Sequence, residues 1–407
     1  MQKRSLYQIM FGNRPKVNDT DKNYFRVLNG FVPTFTPFSG NAYDSDVVRS
    51  TVDAIARNAA KFKPKHVRRV NGEIVKTESN LEKLLQVRPN PFMNSFAFLY
   101  KVVTLLMMTN NAFVYIDWDD ETGDVRGLYP IDFSTVDFLE ARNQPGEVYA
   151  RFRFRGGQAV TLPYEDLIHL RRFFYKDDMF GETSEKALTP TLELINTTDQ
   201  GIANAVKSSA FLRGLLKFTT MLKPEDLKKQ RDDFVKDYLD VSNNGGVAAT
   251  DSKTEYQELK NDPKMIDDKQ MAAIKDKVYK YFSVNEKIIA SNYSEDEWNA
   301  FYESVLEPLA IQMSLEFTAK IFTNRERSNG NEIIFEANRL QYASNGTKIK
   351  LIETLVDRGL LNKNEGREIF NLGPIPGGDK YIVSLNFVQA DKANKYQLGE
   401  DENEGGN

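Results

Sequence analysis

Near residue 280 apolar positions recur at helical spacing along two neighbouring stretches divided by a short polar break. Met271, Ile274, Val278, Tyr281 and Phe282 share one stripe, with Lys269, Lys275, Asp276, Lys277 and Lys280 on the other faces, which predicts an amphipathic helix. The period fails from Ser283 to Tyr293, which reads as a polar loop. Ser294 is placed as an N-cap, with Glu295, Asp296 and Glu297 in the first turn, where the helix dipole favours acids. The stripe resumes through Trp298, Phe301, Tyr302, Val305, Leu309, Met313, Phe317 and Ile321 and reads as core packing. Pro308 removes a backbone donor and crowds the Ser304 carbonyl, so a kink is expected there. A long kinked helix behind a polar loop suggests a loop held out over something.

Residues 1–43 show no sustained period and read as an arm or extended lead-in. Val48, Val52, Ile55, Ala59 and Phe62 predict a helix from Asp44, and Asn71-Gly72 between strand-like flanks predicts a hairpin. Leu81, Leu84 and Leu85 mark a short helix stopped at Arg88-Pro89-Asn90-Pro91. Asn94 or Ser95 can cap the next helix, which carries Phe98, Val102, Leu105 and Leu106 and ends at Asn110-Asn111, where asparagine tolerates a left-handed turn. Strands are expected at 112–118, 125–129, 148–155 and 159–162, making residues 44 to about 172 an α+β unit.

Beyond it the pattern turns helical. Thr189-Pro190 is a cap and first-turn pair for a long helix carrying Leu192, Ile195, Ile202, Val206 and Ala210 and reaching Phe211. A strand at 215–220, a charged helix at 223–239 and strand material at 247–259 then form a small insert. The charged helix is most simply a solvated face. If the long helices on either side are antiparallel, they make a stalk with this insert at its tip. A strand at 333–335, helices at 347–358 and 362–370, and an acidic, apolar-poor tail at 391–407, expected to be disordered, complete the chain.

Composition narrows the function. The 407 residues suffice for two or three cores, and 28% charged residues with a mean hydropathy of -0.51 imply an elongated chain or one covered by other subunits. Without cysteine there is no disulfide or thiolate metal site, and with only His66 and His169 a multi-histidine site would need a second subunit, so no metal or cofactor is expected. The first ten residues lack the apolar run of a signal peptide, and nothing approaches the roughly 20 apolar residues of a membrane span, which points to a cytoplasm. A net charge of -4 argues against tight sequence-independent binding to nucleic acid, but not against a passage through which DNA slides.

Each chemical motif has a plainer reading beside it. Asp117 to Asp124 suggests a calcium loop, but Thr122 stands where glycine is required and Leu128 where the bidentate glutamate belongs, so a hairpin turn is expected. His169 with Asp166 and Glu165 suggests acid–base chemistry, whereas a lone histidine ending a strand is usually structural. The glycine pairs at 156–157, 245–246 and 377–378 lack the Gly-Lys-Ser/Thr ending of a phosphate loop.

Taken in order, the segments resemble the portal proteins of tailed bacteriophages over roughly residues 44–385. Arg88-Pro89-Asn90-Pro91 before a helix and Asn111-Ala112-Phe113 opening a strand resemble the family's Pro-Asn and Gly-Asn-Ala-Tyr segments, with Asn110 in place of the glycine. Glu165-Asp166-Leu167-Ile168-His169, then Gly181 and a long helix, resembles the approach to the first stem helix. Phe211 to Leu216 and Gly246 to Leu259 resemble clip strands, Phe282-Ser283-Val284 the start of a tunnel loop, and Val305 to Leu309 the tunnel-helix kink. Leu361 to Arg367 and Gly377-Gly378-Asp379 resemble the family's closing pattern.

The resemblance implies an α+β, portal-like fold: a mixed α/β wing, a long helical stem, a small α/β clip insert, a kinked tunnel helix and a helical crown. It divides the chain into an N-terminal arm (1–43), wing (44–183), first stem helix (184–211), clip (212–260), second stem helix (261–282), tunnel loop (283–294), kinked helix returning to the wing (295–346), crown (347–390) and tail (391–407). It further implies a homo-oligomeric ring of about twelve copies at one capsid vertex of the virion, assembled in the host cytoplasm, through which double-stranded DNA is packaged and ejected. Partners would be the terminase large subunit, a head–tail adaptor, and the major capsid and scaffolding proteins, with no membrane and no catalysis by the chain itself. Asn285, Lys287, Ser291, Asn292 and Tyr293 would face the channel, and Arg213, Lys217, Thr219, Lys253 and Glu255 would serve docking at the clip. Without the resemblance Lys287 is a surface lysine. The alternatives are another phage or prophage structural component, and a metal-dependent nuclease or hydrolase using acids such as Asp132 and Asp137.

Overall fold

A computed structural model describes residues 25–31, 42–70, 72–77, 79–141, 145–183, 185–209, 214–218, 223–234, 254–258, 268–336, 345–370 and 372–382. The architecture is mixed α/β, with several small antiparallel sheets set among helices.

At its centre lies β4 (Asn111–Trp118), paired antiparallel with β5 (Val125–Ile131) on one edge and β9 (Leu167–Arg171) on the other. Side chains alternate across a strand, so β4 feeds two cores at once. Ala112, Val114 and Ile116 enter the larger core, and Phe113 and Tyr115 enter a smaller aromatic one. Burial on both faces accounts for the apolar run of this strand. The larger core also receives α1 (Asp46–Ala59), α2 (Asn80–Val87) and α3 (Ser95–Thr109). Helix α3 starts on Asn94, whose side chain accepts the Ala97 N–H, and stops on Asn110 in the left-handed conformation with φ 58°.

A second sheet runs in the order β1 (Phe25–Phe31), β6 (Thr135–Ala141), β7 (Val148–Arg153), β8 (Ala159–Pro163). Two of these strands correct the sequence reading. The lead-in contributes β1, whose irregular pairing between Val27 and Asn29 breaks the alternation a strand signal needs. Strand β6 buries Val136, Phe138 and Leu139 but puts Thr135, Asp137 and Glu140 into the same short run, which blurs its period-two signal. A third sheet joins β2 (Lys63–Val70) and β3 (Glu73–Lys76) through a turn at Gly72, φ +88°, and adds the late strand β12 (Asn331–Glu336) beside β2.

Helix α4 (Glu185–Ser209) starts before the expected Thr189-Pro190 pair and holds Pro190 within it. Leu188 is buried with Leu192 and Ile195, so the apolar stripe extends back past the proline and tertiary packing outweighs its one lost hydrogen bond. Helix α4 packs against α6 (Asp268–Tyr281). Between them in sequence come β10 (Gly214–Phe218), α5 (Pro224–Phe234) and β11 (Thr254–Glu258), the two strands pairing antiparallel. This is the expected insert between two long helices.

The break after α6 is more ordered than a polar loop. It contains a helical turn, α7 (Glu286–Ile289), followed by α8 (Glu295–Phe301) on a Ser294–Glu297 capping box. At the expected kink the backbone passes through a π segment, Tyr302–Leu306, before α9 (Glu307–Ile321). The wider turn accommodates Pro308, which lacks a donor and sits in the first turn of α9. Beyond α10 (Asn324–Ser328) and β12 come α11 (Asn345–Asp357) and α12 (Lys363–Ile369), the latter on an Asn362–Glu365 capping box. The acidic tail lies outside the described residues.

Candidate channel loop and docking surfaces

Two apolar side chains hold the stretch between α6 and α8 down: Val284 and Ile288, four apart, are 6% and 1% exposed. Asn285 caps the turn between them, its side chain accepting the Ile288 N–H at 2.9 Å. Lys287 points outward and pairs with Glu297, and that hydrogen bond, aided by the Ser294 N–H, holds the Glu297 carboxyl below its usual range. Asn292 closes the turn by donating its N–H to the Lys287 carbonyl at 2.9 Å. Ser291 adopts φ 58°, and its hydroxyl accepts from Arg57 at 3.2 Å, while the same guanidinium reaches the Ile289 carbonyl. Tyr293 stacks on Trp298 with ring centroids 5.1 Å apart. The five expected channel residues therefore share one short, anchored corner on α1. Sequence reasoning missed its anchors, Ile288 and Arg57. The Val284–Ile288 spacing was a legible signal, whereas Arg57 lies more than 200 positions away and left none.

In the insert, Lys217 and Glu255 stand opposite each other in the β10–β11 register. Arg213, Thr219 and Lys253 lie outside the described residues.

The acids named by the enzymatic readings lie in ion pairs. Asp132 faces Lys101 at 3.8 Å, while Asp137 is bridged by Arg151 and Arg153 at 3.0 and 2.9 Å. Among the described residues no cluster of three potential ligands could hold a metal ion. The Asp117–Asp124 stretch is a hairpin turn: Asp119 accepts the Glu121 and Thr122 N–H groups, Gly123 takes φ +75°, and Asp117 forms a two-pronged pair with Arg126.

His169 is 2% exposed, stacked on Phe113 at 4.0 Å, with its ring nitrogens facing Tyr164 Oη and Asn111 Oδ1. Burial, then Arg171 and Lys320, push its pKa well below the ordinary value. Asp166 is turned elsewhere, accepting from the Trp118 indole. Asn111 also exchanges hydrogen bonds with the backbone of Gly181, and Asn110 donates to the Glu182 carbonyl, so this polar knot ties the start of β4 to the segment leading into α4. Among the described residues no helix is long and apolar enough to cross a membrane.

Comparison with known proteins gives the arrangement its context. A sequence model of the phage portal protein family matches residues 46–371. Probable portal proteins of Lactococcus phages p2 and SK1 are each 27% identical to this chain over 379 residues, which cover 89% of it and 90% of theirs. In fold the chain is similar to one from the neck of a native gene transfer agent particle computed with C12 symmetry, with a TM-score of 0.59, 16% identity, and coverage of 82% of this chain and 92% of that one. It is similar to the same degree to a chain of the native gene transfer agent virion. With most of its length matched by the family's sequence model, this chain belongs to the phage portal protein family.

Proposed function

We propose that about twelve copies of this chain close into a ring at one capsid vertex of the virion, around a channel through which double-stranded DNA is packaged and ejected. The observation that carries the reading is the family match across residues 46–371, joined to the α4–α6 pair with the β10–β11 insert between its two helices in sequence. The twelvefold symmetry named for the similar neck structure supports the copy number. Residues 44–183 form the wing, α4 and α6 the stem, the insert the clip, and residues 347–390 the crown. The chain hydrolyses nothing: the family is structural, and a separate terminase motor docks on the clip before a head–tail adaptor replaces it. Lys217 and Glu255 belong to that docking surface, with Arg213, Thr219 and Lys253.

The corner from Asn285 to Tyr293 faces the channel. Anchored by Val284 and Ile288, it acts as a fixed bumper with its polar side outward, and Lys287, already paired with Glu297, offers the DNA no free cation to stick to. Net charge acts in the same direction, since -4 per chain makes the assembled ring acidic. Negative-stain images and native mass spectra of the purified protein should show rings with a central hole. A stable monomer at high concentration, or metal-dependent turnover of DNA or ATP by the chain alone, would overturn the reading.

A further inference from the structure

A cavity of about 220 Å³ lies beside the π segment, bounded by Leu106, Met107, Phe282, Val305 and Pro308 and entered by Arg172. The guanidinium of Arg172 reaches Met107 Sδ at 2.8 Å and lies over the rings of Phe173 and Phe282 at 4.9 and 5.8 Å. Among the described residues no carboxylate pairs with Arg172, and none pairs with Arg171, which lies over the Phe174 ring at 4.7 Å and reaches only the Asp178 carbonyl. Burial lowers the Arg172 pKa, which marks the cost of holding this cation away from water. A guanidinium enclosed by sulfur and aromatic rings, without an acid, is half of an ion pair.

The rim says what kind of group completes it. Phe174 and Tyr175 beside the arginines are 54% and 79% exposed, and Ile311 and Leu315, near Pro308 and Gln312 on α9, are 54% and 68% exposed. Arginine and aromatics among exposed apolar side chains are the composition of a protein interface centre, whereas a groove for duplex DNA would carry cations without exposed leucine and isoleucine. A cyclic ring joins two different faces of one chain, so a cationic socket on one face meets whatever the next copy presents. With a net charge of -4, that copy carries acid to spare.

We propose that Arg172 and Arg171, with the aromatic rim, form a socket into which the next copy of this chain inserts an aspartate or glutamate. The proposal rests on the ring reading and adds the contact that closes it. The test uses the full chain as wild type, Arg172→Met and Arg172→Lys, with assembly followed by native mass spectrometry against protein and salt concentration. Arg172→Met should need at least about tenfold more protein to assemble, as expected when one partner of an enclosed charge pair is removed. Arg172→Lys should fall between the two, and wild-type rings should loosen as salt rises. A photo-crosslinker placed at Gln312 should capture a peptide of another copy that contains an acid, which decides the matter even if Arg172→Met fails to fold. Arg172→Met rings forming at wild-type concentrations, or crosslinks confined to one chain or made to DNA, would overturn the socket while the ring stands. A wild-type chain that forms no ring at any concentration would overturn both.

Discussion

Gly181→Ala is the sharpest test of how the first part of this fold is held together. Gly181 is buried, and its backbone N–H and carbonyl are both taken by the Asn111 side chain, at 2.8 and 2.9 Å. A Cβ there would lie 2.1 Å from the Arg172 carbonyl oxygen and 2.6 Å from that of Asn110, both backbone atoms that no rotamer change can move. The segment must shift outward, straining a packed core and breaking up to two buried hydrogen bonds. Overpacking and loss of buried hydrogen bonds together give about 3–5 kcal/mol. With an m-value of about 3 kcal/mol per molar or more for a chain of this length, the urea midpoint should fall by roughly 1 M. Tryptophan fluorescence can follow it, since Trp118 lies at the far end of β4, the strand that starts in the knot. Gly201→Ala is the control: it sits exposed in α4 with open space around its Cβ position, and should raise stability by up to about 1 kcal/mol through helix propensity. A Gly181→Ala midpoint indistinguishable from wild type would refute the claim that this close approach is rigid.

Other expectations follow from the same physics. His169 is held neutral below its ordinary pKa of 6.5, so below pH 6.5 the unfolded chain binds a proton that the folded chain refuses. Its contribution is therefore full above that value and falls as pH drops, by about 1.4 kcal/mol per unit. Urea midpoints between pH 7.5 and 5.5 should show this slope in wild type and lose it in His169→Gln; equal slopes would place the titration elsewhere. Ile288→Ala should cost about 2–5 kcal/mol as a core truncation, so hydrogen exchange across α7 and α1 should rise sharply, whereas an exposed-loop residue would leave it unchanged. For Glu297 the stabilising pair with Lys287 is fully present above the ordinary glutamate value of 4.5 and is lost as pH falls through the lowered folded value. An NMR titration should move Glu297 back up in Lys287→Ala, and an unmoved titration would assign the lowering to Ser294 alone. Asn362→Ala should remove about 1 kcal/mol from the α11–α12 unit through its cap, visible in limited proteolysis of that unit.

What could be read ahead of the structure followed local rules. The stops of α2 and α3, the Gly72 hairpin, the Ser294 cap and the disturbance before Pro308 each depend on residues within one turn of one another, and each stands where local chemistry puts it. The misses depended on distance. Strand β1 exists because β6 offers it an edge, and Arg57 finds Ser291 only after the chain has folded back on itself. Helix α4 overran its proline because Leu188 had a core to enter. The stretch from Asn285 to Tyr293 is more ordered than its polar composition suggests, because one of its anchors, Arg57, lies far away in sequence.

The pairing of β12 with β2 brings Asn331 opposite Arg68. Everything between, including α4, the β10–β11 insert and α6, is thus threaded into one unit whose last structural piece arrives late. On a ribosome adding about 5–20 residues per second, the β2–β3 hairpin would wait roughly 13–50 s for its third strand. During that time the other edge of β2, from Lys63 to Arg68, has no strand beside it, a point of exposure for the nascent chain. The arrangement also frees evolution at the far end: the insert can lengthen, shorten or change its surface for a new partner without altering the register that closes the sheet.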